Sequence, residues 1–437
     1  MKTTEYVSPL LEERYVCIEH TSGLPIYVFP KKLTTTCALF AVRYGSTVAS
    51  YRTPDGQQKN PPAGVAHYLE HKLFENEDGS DSFARFAALG ADANAYTSYD
   101  RTAYTLSCTE RFDEALAELL RFVTHPHFTE QSVKKEQGII AEEIRMYNDS
   151  PWERCFRDLL RTLYQKHPVR QDICGTAASI ARITPKILYD CYHSFYTPQN
   201  MVLVVCGDVS VEQVLSVANN ALPPSFIGGS TATPTYPEEP FAVIGKSRTS
   251  LTMPIAKPLF TVGIKDCVTG LSPDERFHRE TAMSLLCDIL FSRSGSLYNE
   301  LFEEQLISPA FSAGYSSTES FAFTCLSGEA DDPDRVFEKI LSYVERIKRT
   351  GIDDEDFERC RRVLYADELR AYDSTEEIAN RLLSFVLDGV PMFSATDVLQ
   401  SLSKQTLEEL LHSVYQASNY AFSVILPQNS GNPTHKN

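Results

Sequence analysis

The spacing of apolar residues changes several times along the chain, and each change marks an element. Ala38-Leu39-Phe40-Ala41-Val42 is a short unbroken apolar run, and it predicts a strand over Ala38 to Tyr44. From Gly64 to Glu75 the apolar positions fall at helical intervals. Asn94 to Leu106 alternates through β-branched and aromatic residues, with turn residues at Asp100-Arg101. Leu116, Leu119, Leu120 and Val123 then give Phe112 to Val123 a helical spacing. A longer helix follows from Thr129, an N-cap candidate with Glu130 and Gln131 in the first turn, through Met146.

Periodicity stops between Leu222 and Pro240. Five prolines (223, 224, 234, 237 and 240), Gly228-Gly229 and the intervening Ser and Thr residues cannot propagate a helix or a central strand. Residues 223–240 therefore read as a linker between two halves, 1–222 and 241–437. The second half repeats the order of the first. Phe260 to Ile264 and Phe321 to Leu326 read as strands, and His278 to Leu290, Val336 to Ile347 and Asp353 to Tyr372 as helices. Glu143-Ile144-Arg145-Met146-Tyr147-Asn148-Asp149 lines up with Glu368-Leu369-Arg370-Ala371-Tyr372-Asp373-Ser374 at an offset of 225. Strands followed by paired helices, twice, predict a duplicated α+β unit.

Composition narrows the class without naming it. The 437 residues carry 41 Lys and Arg against 58 Asp and Glu, a net charge of −17, which argues against the basic footprint of a nucleic-acid binder. The strongest apolar run, Met201 to Cys206, is far short of the ~20 residues that span a bilayer, and the N-terminus lacks the apolar core of a signal peptide. Eleven cysteines, with no Cys-x-x-Cys pair, lie mostly in apolar stretches. They read as reduced, buried thiols, so a cytoplasmic protein is expected.

His67-Tyr68-Leu69-Glu70-His71 is the segment that carries chemistry. On a helix His67 and His71 project from one face a turn apart, able to take two corners of a zinc tetrahedron. Glu70 can then reach the attacking water without ligating, which is the H-x-x-E-H order of the inverzincins. With 10 His and 58 acidic residues in 437 positions, chance supplies the pattern only about 0.03 times. A catalytic zinc needs a third protein ligand. The helix over Lys134 to Met146 offers Glu136, Glu142 and Glu143, of which Glu136 and Glu143 share a face two turns apart.

With these residues in place, the chain resembles the pitrilysin family of zinc peptidases, which includes insulin-degrading enzyme and the mitochondrial processing peptidases. Within it, the resemblance is to the YmfH-like bacterial members, encoded beside a second, related subunit. The matching pieces run in family order: His67 to Phe74, Gly90 to Thr97, Glu136 with Glu143, His167-Pro168, Gly175-Thr176, and Tyr196 to Met201 leading to Gly207-Asp208. The resemblance implies two homologous α+β halves, each a mainly antiparallel sheet flanked by helices. Residues 1–222 would be the catalytic zinc-binding half, and 241–437 a degenerate copy serving substrate chamber and partner contact. It makes His67, His71 and Glu143 the ligands of a Zn²⁺ ion, Glu70 the general base and Glu136 an auxiliary catalytic glutamate. Asn94, Ala95 and Tyr96 lie where the family holds an extended substrate as an added strand.

One departure bears on partners. Family members place an Arg and a Tyr in the second half to bind the substrate carbonyl, whereas here Phe302 stands at the Arg position and Ala310 or Phe311 near the Tyr. A peptidase needs a donor aimed at the developing oxyanion. The absence implies a heterodimer in which a related second subunit supplies the pair, unless Tyr298 or Tyr315 substitutes or the chain pairs with itself. The expected function is thus a zinc-dependent endopeptidase acting on unfolded peptides or small proteins, with no nucleic-acid or membrane partner. The alternative is a non-catalytic peptide-binding or assembly subunit that retains a zinc site.

Overall fold

In chain order the first half holds the strands β1 (Thr3–Ser8), β2 (Glu13–Glu19), β3 (Pro25–Pro30) and β4 (Thr36–Val42), then the short pair β5 (Tyr51–Arg52) and β6 (Gln58–Lys59). Next come α1 (Val65–Leu73), α2 (Ser82–Ala88), β7 (Asp92–Thr97), β8 (Thr102–Cys108), α3 (Phe112–Thr124), α4 (Glu130–Asp149) and α5 (Pro151–Leu163). It closes with α6 (Ala177–Ile180), α7 (Pro185–Phe195), β9 (Met201–Gly207) and α8 (Val211–Ala221). The remainder begins with β10 (Thr233–Pro234), β11 (Arg248–Met253), β12 (Leu259–Asp266), α9 (Pro273–Phe291) and α10 (Ser296–Glu303). After them come β13 (Ser312–Ser317), β14 (Ala322–Glu329), α11 (Pro333–Thr350), α12 (Asp354–Arg370), α13 (Thr375–Asp388), α14 (Ser394–Ser401), α15 (Lys404–Val414) and β15 (Tyr420–Pro427). These assignments come from a computed structural model that describes residues 2 to 428.

The chain forms two compact units. The first takes residues up to 144, 171–237 and 365–397; the second takes 145–170, 238–364 and the chain from 398 onward. The first unit is built on a seven-stranded sheet of order β1-β2-β3-β9-β4-β8-β7, in which only β3 and β9 run parallel. Its centre, β4 and β9, is buried at every position, as expected of the runs Thr-Cys-Ala-Leu-Phe-Ala-Val and Met-Val-Leu-Val-Val-Cys-Gly. At the edge, β7 alternates exposed and half-buried residues. Asn94 to Leu106 is therefore the hairpin β7–β8, with Asp100 and Arg101 in its turn.

The second unit is built on a five-stranded sheet of order β11-β15-β12-β14-β13, again with a single parallel pair, β11 and β15. Strand for strand this matches β3-β9-β4-β8-β7. The duplication that is faint in residue identity is thus explicit in topology, and the fold is two mainly antiparallel sheets with helices. One helix of each half packs on the other half's sheet. Helix α5 lays Cys155, Leu159, Leu160 and Leu163 on β12 and β15, whereas α13 packs on β4 and β9. Gly263 of β12 permits the first packing, because a Cβ there would meet Leu163 Cδ1 at 2.6 Å. An amphipathic helix declares that it is buried, not which sheet buries it.

Candidate metal centre

Helix α1 opens at Gly64, whose φ of 92° suits glycine and whose missing Cβ leaves room for the Cys174 carbonyl, 2.5 Å from where that atom would sit. The helix is buried almost all round, polar residues included, so His67, Glu70 and Lys72 must find partners inside the unit. Lys72 pairs with Glu75. Tyr68 donates its hydroxyl to the Val133 carbonyl and so ties α1 to α4.

Helix α4 buries Val133, Glu136, Ile140 and Ile144, a stripe that turns Glu136 and Glu143 toward α1. The His67 and His71 rings lie with centroids 4.6 Å apart. His67 Nε2 is 3.6 Å from Glu143 Oε1 and His71 Nε2 is 3.5 Å from Glu143 Oε2. Glu136 Oε1 lies 3.0 Å from His71 Nδ1 and as a carboxylate can only accept, so Nδ1 donates and Nε2 is the nitrogen that faces Glu143. Burial disfavours charge on His71, but its hydrogen bond to Glu136 and the fields of Glu70, Glu136 and Glu143 outweigh it and raise its pKa.

Two imidazole nitrogens and a carboxylate pointed at one another need a positive charge among them. The two nitrogen–oxygen separations match a coordination edge: bonds of ~2.0–2.3 Å at tetrahedral angles place ligand atoms ~3.3–3.8 Å apart. The donor set therefore fits a divalent metal such as zinc, which His67, His71 and Glu143 would hold, with Glu136 behind His71. Glu142, the other carboxylate on this helix, is exposed and outside the group.

Glu70 stands beside this centre with a different partner. Its Oε2 accepts a 2.6 Å hydrogen bond from Thr97 Oγ1 at the end of β7, and Thr97 lies 3.2 Å from Thr102 Oγ1 on β8. Asn94, Ala95 and Tyr96 precede Thr97 on that edge strand. The Asn94 side chain accepts from Ala95 N–H at 2.8 Å, capping one amide of the strand. Sequence reasoning missed two residues here. Thr97 lay inside a quoted motif without a role. Cys174 carried no signal at all, yet its sulfur is 3.9 Å from His67 Nε2.

The oxyanion candidates of the second half are otherwise engaged. Tyr315 donates its hydroxyl to Asp266 Oδ2 at 2.7 Å, and Tyr298 is buried with its ring stacked on Phe302. Among the described residues no helix is long and apolar enough to cross a membrane.

The chain is similar to known proteins over nearly its whole length. Residues 56–177 match the family described as Insulinase (Peptidase family M16), and residues 182–364 match the Peptidase M16 inactive domain. The uncharacterized zinc protease YmfH of Bacillus subtilis is 34% identical over 432 residues, covering 98% of this chain and 100% of that protein. The crystal structure of an M16-like protein from Alicyclobacillus acidocaldarius superposes with a TM-score of 0.90 at 34% identity, covering 98% of each chain. The periplasmic protease PqqL of Escherichia coli shares the fold at a TM-score of 0.74 and 18% identity, and the match covers 94% of this chain and 47% of PqqL.

Proposed function

The chain belongs to peptidase family M16, and on that premise we propose that it is a zinc-dependent endopeptidase that cleaves unfolded peptides or small proteins. The observation that carries this reading is the convergence of His67 Nε2 and His71 Nε2 on the two oxygens of Glu143, with the Glu70 carboxylate one residue from His71. His67, His71 and Glu143 would hold a zinc ion, which would supply a Lewis acid toward water and the scissile carbonyl. Glu70, held by Thr97, takes a proton as water attacks the carbonyl carbon and delivers it to the amine as the C–N bond breaks. Glu136 keeps the His71 proton on Nδ1. The exposed edge of β7 offers backbone groups to an extended substrate, for which Asn94 must release Ala95 N–H.

We further propose that a second chain completes the enzyme. Phe302 stands where an oxyanion-binding arginine is expected, Tyr315 is committed to Asp266, and the chain matches only half of PqqL. The related subunit would bring the Arg and Tyr pair; a homodimer is the alternative. Purified protein, alone and mixed with a related M16 chain, should be assayed on fluorogenic peptides with a chelator control, beside Glu70→Gln. The expected result is a ~10²–10⁴-fold loss of turnover in the variant at unchanged zinc content. Turnover of Glu70→Gln equal to wild type would overturn the mechanism. Equal activity of the isolated chain and the mixture would overturn the partner requirement.

A further inference from the structure

Cys174 adds a fourth side chain to the centre. Its Sγ, His67 Nε2 and a Glu143 oxygen all lie within 4.8 Å of one another, and His71 Nε2 meets the other Glu143 oxygen at 3.5 Å. We propose that the Cys174 thiolate is a displaceable fourth ligand of this centre, closing at rest the position that water needs for catalysis. The inference rests on the reading of His67, His71 and Glu143 as a metal site.

The spacing fits. A ~2.3 Å bond to sulfur and a ~2.0 Å bond to nitrogen at or slightly above the tetrahedral angle separate the two atoms by ~3.5–3.7 Å, close to the 3.9 Å between Cys174 and His67. The surroundings of His67 point the same way. It is only 7% exposed, and among the described residues its Nδ1 has no hydrogen-bond partner, in contrast to His71, which Glu136 backs. Glu143 Oε1 and the Cys174 sulfur lie 3.6 and 3.9 Å from Nε2, and both are donor atoms for a metal.

The loop that carries Cys174 is fixed against the start of α1 rather than merely near it. Gly175 has φ 75°, and a Cβ there would meet the Ala63 carbonyl oxygen at 2.4 Å; Gly64 approaches Cys174 as closely from the other side. Ser179 Oγ donates to the same Ala63 carbonyl at 2.8 Å, and Thr176 caps α6. Asp172 accepts from Cys174 N–H through its side chain at 3.1 Å and from Gly175 N–H through its carbonyl at 2.9 Å. Cys174 is thereby held 5% exposed, aimed at the imidazole. Binding exchanges the S–H proton, released to solvent, for a sulfur–metal bond, and an incoming water or substrate carbonyl reverses it.

Cobalt(II) reads this directly, because thiolate coordination gives an intense near-ultraviolet charge-transfer band that His and Glu ligands lack. Metal-free full-length protein titrated with Co²⁺ should show that band. Cys174→Ser should lose it while the visible cobalt bands persist, with bound cobalt confirmed by elemental analysis. Bound cobalt with no thiolate band in the wild type would overturn the inference and leave the His67–His71–Glu143 centre standing. A band that survives in Cys174→Ser would assign it to another cysteine and overturn it equally. Failure of the wild type to bind cobalt at all would instead overturn the metal reading on which it rests.

Discussion

The two units share a sheet order but treat charge in opposite ways at corresponding places. In the first, α1 and the edge strand β7 bring Glu70, Glu136 and Glu143 up to two imidazoles and the Thr97 hydroxyl. In the second, α9 and the edge strand β13 surround Asp266, whose side chain is fully buried. It accepts two hydrogen bonds from Arg279, at 2.9 and 2.6 Å, and one from Tyr315. Within the first unit itself, Glu368, which aligns with Glu143 at the offset of 225, is paired with Arg381. A buried carboxylate that already has its guanidinium has no further need of a cation. The comparison teaches that carboxylates alone do not mark a metal site; the nature of the group that neutralises them does.

The largest expected effect attacks the second unit. Asp266→Asn keeps the shape but removes the countercharge of Arg279 and so breaks a buried pair, which costs about 3–5 kcal/mol. Urea unfolding should show that loss while zinc content stays at the wild-type value. A variant that loses zinc along with stability would show that the two corners are not independent, and the contrast would collapse.

Histidines repeat the contrast in milder form. His167, in the second unit, lies against the rings of Tyr164 and Phe321, and its Nδ1 accepts from Val169 N–H at 3.1 Å. Burial pushes its pKa down to about 4, although Glu239 works the other way; Lys265 adds to the fall. A depressed histidine favours folding in its neutral form, so its contribution is complete above ~6.5 and is lost as pH falls toward 4. A shift of that size amounts to about 3 kcal/mol. Unfolding midpoints at pH 7 and pH 4.5 should converge more in His167→Gln than in wild type. An equal slope in both proteins would show that His167 is not the group that titrates.

What the sequence discloses follows from how local each feature is. The helix of His67 and His71, and the seven-residue spacing of Glu136 and Glu143, depend only on helical period, so both were legible. The spacing over His278 to Leu290 found a helix but missed its start at Pro273. Ser272, Pro273 and Glu275, a capping box with proline in the first turn, were the overlooked signal. Gly175-Thr176 was visible as a motif, while its use, fitting the loop against Ala63, needs the fold. Thr97 is 27 residues from Glu70 and Cys174 is 107 from His67; only tertiary structure joins them. The same holds for α5 and α13, whose apolar faces do not say which sheet they meet.

The smallest effect tests the comparison at its finest point, the carboxylate behind a ligand. Glu136→Gln keeps the length of the side chain and an oxygen that can accept from His71 Nδ1–H, so the ring should stay in place. What disappears is the negative charge that makes Nε2 a better donor. Loss of such a partner lowers metal affinity about 10- to 100-fold. Competition against a chromophoric chelator measures it, with Glu368→Gln, at the counterpart of Glu143 in the other repeat, as the control change. Because Glu368 is neutralised by Arg381 rather than by a metal ligand, that second variant should leave zinc affinity unaltered. Unchanged affinity in Glu136→Gln would mean that hydrogen bonding alone holds His71, and that the difference between the repeats lies wholly in their ligands.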